Sequence, residues 1–451
     1  MVIRKSEESD LPPVPPIPTQ VVSNGEYNPL PKTERQRAVD FHLLEYADRY
    51  GKPRGLSRRN FLKTASGMAA VMLAMNSVYG RRFFDVDEVE AADEAAALSK
   101  RKGNQFIFDV QTHYLQADVL ANAKTPRGKL AAQLLGGLRS MAVPGSGLKD
   151  LTHATYVKEI FLDSETTMAI ISGVPAEPGF KEAILPVEQM VRTRNEVNAK
   201  AGTRRMLSHG LPAPLLGKKN LDDMDRQVKD LKVDAWKLYT ADGVGGKGWW
   251  LDDPKIAYPV WEKARKLKMP NICVHKGLAA QWFAEKYCRV HDIEQAALDW
   301  PDLNFIIYHS GYPYIDDMVA FKWFKPQIQN VYCEIGSAFA ATVVGAPVEC
   351  AHVLGKLLRA YGADHIIWGT DSLWWGSPQW QIEAFRRFQI PEDLQKGWGY
   401  KPITDEEKTK IFGLNAAKLF GINVDETMKR LALDDVSTLR RWARQEAGAA
   451  S

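Results

Sequence analysis

Cysteine is scarce, and none of it is spaced for metal. The 451-residue chain has four, Cys273, Cys288, Cys333 and Cys350, with no C-x-x-C pair. That removes the usual thiolate zinc and dithiol redox motifs. Cys273 and Cys333 fall inside apolar runs, where a free thiol behaves as a small buried hydrophobe. Only an oxidising compartment would allow a Cys288–Cys350 bridge. Charge of one sign is also lacking. The net charge is +4, which argues for neither nucleic acid nor a basic membrane surface. The apolar stretch Thr64–Val78 is too short for a comfortable membrane span. The glycine-rich stretch Gly243–Trp250 lacks the G-x-x-x-x-G-K-[ST] spacing of a phosphate loop. No internal repeat exists beyond a strand–helix rhythm.

That rhythm is what the chain does have. Hydrophobic residues make up 45% and charged residues 25%, ordinary for a globular protein. Eight short apolar runs open into polar residues: Phe106–His113, Thr167–Ser172, Arg204–His209, Val233–Tyr239, Asn271–His275, Asn304–His309, Asn330–Glu334 and His365–Asp371. The gaps between them have room for a helix. This describes an α/β fold, a (β/α)8 TIM barrel, with its site at the C-terminal rim. There are 13 tryptophans. Trp249, Trp250, Trp282, Trp374, Trp375 and Trp380 fall in loops and suggest an aromatic-walled pocket; packing of barrel helices accounts for any single one equally well. The loop from Tyr114 to about Glu165 is long enough to cover the mouth. The Gly243–Trp250 loop reads as a mobile flap.

Along the chain, residues 1–55 form a Pro-rich and then polar extension. Residues 56–80 carry Ser57-Arg58-Arg59-Asn60-Phe61-Leu62-Lys63 before an Ala- and Met-rich run. This segment resembles a twin-arginine export signal. It implies a periplasmic or otherwise exported protein and the twin-arginine machinery as a partner. Residues 81–103 read as a linker, 104–424 as the barrel, and 425–451 as a charged helix and tail.

The strand ends carry the chemistry. Gln111 and His113 close the first run, His209 the third, Lys237 lies on the fourth, His275 closes the fifth, His309 the sixth, Glu334 the seventh and Asp371 the eighth. Strand C-termini converge on the barrel axis, so wide spacing in sequence is no obstacle. Imidazoles and a carboxylate facing one cavity make a catalytic metal site. Gln111 and His113 are two apart and share a strand face, with Asp109 deeper on that face.

The order of His113, His275, His309 and Asp371 resembles the amidohydrolase superfamily. So do Ile367-Trp368-Gly369-Thr370-Asp371-Ser372 and Ile411-Phe412-Gly413-Leu414-Asn415-Ala416-Ala417-Lys418-Leu419-Phe420-Gly421. The nearest branch is the amidohydrolase-2 group, related to aminocarboxymuconate-semialdehyde decarboxylase. The likeness covers Asn104–Ile422. It implies one divalent metal ion, Zn2+ first and Mn2+ or Fe2+ as alternatives, on His113, His275 and Asp371. It implies Asp371 and His309 as catalytic residues. Gln111 stands where the family usually has the first His of an H-x-H pair. It is either a weak oxygen ligand or a substrate contact beside the ion. His209, Lys237, Trp249, Trp374 and Glu334 are candidates for substrate contact. The expected activity is hydrolysis of an amide, lactone or ester bond in a small, aromatic molecule through a metal-activated water. The alternatives are non-oxidative decarboxylation of an aromatic or unsaturated acid, and a barrel that binds a small molecule without turnover. A homodimer is compatible with all three.

Overall fold

The computed structural model describes residues 14–20, 31–100, 105–117, 119–122, 125–173 and 184–449. The early part of the Pro-rich stretch and the very end of the C-terminal tail lie outside them.

Eight parallel strands form one sheet in sequence order. They are β1 (Phe108–Thr112), β2 (Met168–Ile171), β3 (Met206–Gly210), β4 (Ala235–Tyr239), β5 (Asn271–His275), β6 (Asn304–Tyr308), β7 (Val331–Glu334) and β8 (Ile366–Ile367). The sheet closes on itself. Val110 N donates to Trp368 O at 3.1 Å, Asp371 N donates to Gln111 O at 2.9 Å, and Thr112 bridges Ser372 in parallel. Apart from β3, which runs one residue further, to Gly210, each strand falls within one of the eight apolar runs. The chemistry of the runs explains why: they are short, bounded by polar or turn residues, and buried on both faces.

Side chains alternate across the sheet. One face, with Phe108, Val110, Ile170, Leu207, Cys273, Ile306 and Tyr308, packs into one cluster. The other, with Ile107, Ile171, Trp236, Leu238, Ile272, Val274 and Phe305, packs with the surrounding helices. The alternation slips once. Asp109 pairs with Ala169 and Thr112 with Ile171, three steps on β1 against two on β2. Such a bulge re-aims the side chains that follow it. Asp109 therefore does not line the site face below Gln111. Its carboxylate accepts from Gln111 N at 3.1 Å and Thr370 N at 3.0 Å, pinning the chain after β8 to β1.

Residues 31–100 build a helical layer against the barrel. The helix Glu34–Tyr46 starts with a capping box at Thr33. The helix Ala65–Tyr79 is capped by Thr64 and ended by a left-handed Gly80. The Glu94 carboxylate accepts from Ala65 N (2.8 Å) and Ser66 N (3.0 Å), complementing the positive end of that helix. Most of this helix is buried, from Ala65 through Met75 with Leu73 only partly covered. The layer is tied to the barrel by an antiparallel bridge of Phe84 with Phe388 and by a buried Arg387–Glu90 ion pair. Gln36 Nε2 and Tyr79 Oη both donate to Gly345 O at 3.0 Å. Arg58 is paired with Asp48 at 2.6 Å on the surface. The linker region contains the short helices Glu88–Ala92 and Glu94–Ser99. None of the four cysteines is in a disulfide, and all four are buried. Among the described residues no helix is long and apolar enough to cross a membrane.

Candidate metal centre and active site

The strand ends bring Gln111, His113, His275, His309 and Asp371 together, each 0–1% exposed. His113 Nδ1 lies 2.9 Å from Ser172 O. A carbonyl only accepts, so Nδ1 carries the proton and the Nε2 lone pair faces inward. His275 Nε2 lies 3.2 Å from Leu278 O, which by the same logic turns the Nδ1 lone pair inward. His113 Nε2 sits 3.1 Å from Asp371 Oδ1, and His309 Nε2 sits 3.2 Å from His275 Nδ1. Gln111 Nε2 donates to Asp371 Oδ1 at 2.9 Å and lies 3.5 Å from both His113 Nε2 and His309 Nε2.

This arrangement suits a cation in donor type and spacing. Ligands at right angles around an ion with bonds of about 2.1 Å stand about 3 Å apart. Asp371 Oδ1, His113 Nε2 and His275 Nδ1 are lone pairs, and the hydrogens of Gln111 Nε2 and His309 Nε2 point at them. Two N–H groups thus supply the positive polarity an ion would supply. Gln111 Oε1 is buried with no hydrogen-bond partner, so a turn of this amide would add a fourth ligand, an oxygen. Among the described residues, no three His, Cys, Asp or Glu side chains are already closed around one point; the Gln111 amide stands between the two pairs.

Backbone strain gathers here. His309 (φ 63°), Ser310 (φ 50°), Asp371 (φ 59°) and Leu278 (φ 30°) are non-glycine residues with positive φ. Left-handed backbone costs energy and persists where the surroundings enforce it. Gly369 permits a close approach, since a Cβ there would come within 2.1 Å of Glu334 Oε1.

Burial sets the electrostatics. It pushes His275 well below the usual imidazole range and His309 down to about 3, so both are neutral. Burial by itself would raise the Asp371 carboxyl. The close approach of His113, the neighbouring His309 and the Ser337 hydroxyl outweigh it and hold Asp371 well below the usual carboxylate range.

The other candidates divide. Trp374 stacks on His113, with centroids 5.3 Å apart and planes at 13°, so it walls the centre. Tyr239 stacks on His275 at 5.4 Å, and Phe283 meets the same ring edge-on at 5.2 Å; neither was singled out from sequence. His209 Nδ1 bonds Ser172 Oγ at 2.8 Å, while its buried Nε2 has no partner. Lys237 Nζ sits 3.4 Å from the Tyr308 ring centroid, an ammonium on an aromatic face. Trp249 packs on Trp261 at 6.2 Å and lines a small cavity with Lys237 and Tyr239. Trp250 packs on Tyr287 and His291. The Gly243–Trp250 loop is therefore packed down, not a free flap, and Arg127 clamps it through Asp242 (3.0 Å) and Gly243 O (3.3 Å). Glu334 accepts from His309 N at 2.9 Å and Gly336 N at 2.6 Å. Its two oxygens thus hold the backbone at the ends of β6 and β7. Ser337 and Trp375, which lie behind Asp371, left no sequence signal beyond Trp375's place beside Trp374.

A TIM barrel whose strand ends converge imidazoles, an amide and an ionised carboxylate on one buried point is an enzyme of the metal-dependent kind. The chain belongs to the amidohydrolase family: the Amidohydro_2 model, described as amidohydrolase, matches residues 194–422. No curated protein matches it. Solved structures share the fold. An uncharacterized TIM-barrel protein from Bordetella bronchiseptica is 13% identical, with a TM-score of 0.50 over 70% of this chain and 98% of that one. A dihydroxybenzoic acid decarboxylase from Polaromonas sp., solved with manganese and 2-nitroresorcinol, is 15% identical, with a TM-score of 0.44 over 70% and 97%. A protein from Acinetobacter baumannii described as a probable 2-pyrone-4,6-dicarboxylic acid hydrolase, solved with citric acid, is 11% identical, with a TM-score of 0.44 over 70% and 99%.

Proposed function

We propose that this protein removes a carboxylate from a small aromatic acid without redox change. The observation that carries this reading is the enclosure of the polar centre by rings. Trp374 lies over His113 and Tyr239 over His275, and the polar side chains between them are buried. Flat walls suit a flat substrate. A dry site destabilises a carboxylate relative to neutral CO2, whereas hydrolysis must admit a water.

His113, His275 and Asp371 would hold one divalent ion, with Gln111 beside it. Bound there, the ion would supply positive charge to anchor the acid or a neighbouring hydroxyl. Mn2+ and Zn2+ both suit a set of two imidazoles and one carboxylate. When the bond to CO2 breaks, its electron pair stays on the ring carbon, which must gain a proton. Asp371 is ionised at rest, so it would take that proton from the carboxyl group of the arriving acid and hand it to the ring carbon. His309, neutral and bonded to His275, orients the substrate and keeps the transfer directional.

Hydrolysis of an ester or lactone is the second reading. The ionised Asp371 beside His113 favours it, because the same carboxylate can accept a proton from water. Incubating Mn2+-loaded protein with a panel of hydroxybenzoates and lactones in 18O-water separates the two. Release of CO2 without 18O in the organic product supports decarboxylation. Incorporation of 18O into a new carboxylate, without CO2, overturns it.

We also propose export through the twin-arginine route, on the strength of Arg58-Arg59 and the run behind them. The helix Ala65–Tyr79 packs as an integral element of the helical layer, so the exported chain would keep this segment.

A further inference from the structure

Ser337 is the second residue of the helix Gly336–Gly345, which follows β7 directly. Its hydroxyl donates to Asp371 Oδ2 at 2.6 Å. Trp375 Nε1 donates to the same hydroxyl oxygen at 2.9 Å. Ser337 is 0%, Asp371 1% and Trp375 1% exposed. An indole N–H can only donate, and an ionised carboxylate can only accept. The chain of bonds therefore has one direction, and the serine hydrogen is directed at Asp371. Trp375 is itself held, because Trp380 Nε1 donates to its carbonyl at 3.0 Å. Asp371 carries a left-handed backbone, φ 59°, so its carboxylate points where its partners hold it. Oδ2 is engaged by Ser337, while Oδ1 faces His113 and Gln111.

We propose that Ser337, backed by Trp375, is a positioning relay that limits Asp371 to offering one oxygen to a divalent ion. This rests on the metal-site reading above. With Oδ2 accepting from Ser337, the carboxylate is held so that Oδ1 faces the ion's place and Oδ2 is turned toward the serine. The coordination number stays low, and Oδ1 keeps its orientation to His113.

The test uses the full-length protein stripped with EDTA. Mn2+ affinity is measured by calorimetry, and coordination is read from the visible absorption of the Co2+-loaded form. Ser337→Ala is expected to weaken Mn2+ roughly 10- to 100-fold, the usual cost of losing a group that orients a ligand. The Co2+ bands should lose intensity as the freed oxygen joins the ion. Trp375→Phe should move both readouts the same way by less, and Ser337→Thr, which keeps the hydroxyl, should restore them. Wild-type Mn2+ affinity and Co2+ bands in Ser337→Ala overturn the relay. If that variant does not fold, unchanged readouts in Trp375→Phe overturn it, and a weakened Mn2+ site supports it. If the wild-type protein itself binds no Mn2+ or Co2+, the metal-site reading falls and the relay falls with it. An unchanged Ser337→Ala on a metal-binding wild type removes the relay alone.

Discussion

Replacing Gln111 with Glu tests the cation site with almost no change of shape. The amide nitrogen that donates to Asp371 becomes a carboxylate oxygen in the same place. At an effective dielectric of about 20, two unit charges at the present 2.9 Å spacing repel by about 6 kcal/mol. Without metal, the folded protein relieves this by taking up a proton. The new carboxyl is thus raised above the ordinary glutamate value of about 4.3. The folded state then binds more protons than the unfolded one, so the stability of Gln111→Glu falls as pH rises above that value. A divalent ion between the two carboxylates reverses the sign and turns repulsion into attraction. Thermal unfolding with EDTA should show the Tm of the variant dropping from about pH 5 to about pH 8, more steeply than wild type. Excess Mn2+ should abolish the drop, and the gap in Tm between Mn2+ and EDTA should exceed the wild-type gap, as ligand linkage requires. Affinity for Mn2+ should rise at least about tenfold. A variant with wild-type Mn2+ affinity and a wild-type pH dependence in EDTA would refute the placement of Gln111 at the ion.

Three further outcomes follow from the same geometry. His309→Gln should lower kcat by roughly 100- to 10,000-fold, the range for a lost proton-transfer group, while stoichiometric Mn2+ binding persists; loss of the metal instead would make His309 a ligand. Asp434→Ala leaves Arg205, 1% exposed and bonded to Asp434 at 2.7 Å, as a buried charge without its carboxylate. A cost of roughly 3–5 kcal/mol should appear as a lower urea midpoint, and an unchanged midpoint would contradict it. Arg58→Lys with Arg59→Lys should strand the protein in the cytoplasm of a host with the twin-arginine system, and equal periplasmic recovery would end the export reading.

The strand ends were legible because a barrel needs short, wholly apolar runs and delivers whatever follows them to one rim. That placed His113, His275, His309 and Asp371 without any knowledge of contacts. The bulge in β1 was not legible: Asp109, Gln111 and His113 keep a clean period of two in the sequence, and only the pairing with β2 shows the slip. The tryptophans' individual roles were not legible for a related reason. Trp249 and Trp374 sit in similar loops, and burial against Trp261 or stacking on His113 is decided by chain direction, not by composition. Ser337 is one ordinary serine, and what it does depends on a carboxylate 34 residues away. The run Ala65–Tyr79 is apolar on nearly every side. Such a run reads equally well as the core of a signal or as a helix buried in a layer.

The helix Gly336–Gly345 has consequences beyond its own span. At its start Ser337 grips the Asp371 carboxylate. At its end Gln36 and Tyr79 grip the carbonyl of Gly345. Ten residues of helix make a rod of about 15 Å, with the reactive carboxylate at one tip and the leader-like segment at the other. A substitution in the N-terminal layer that removed the grip of Gln36 or Tyr79 would therefore release the far end of the rod that aims Asp371. The N-terminal layer is in that sense part of the catalytic scaffold, and its packing is a lever on the centre itself.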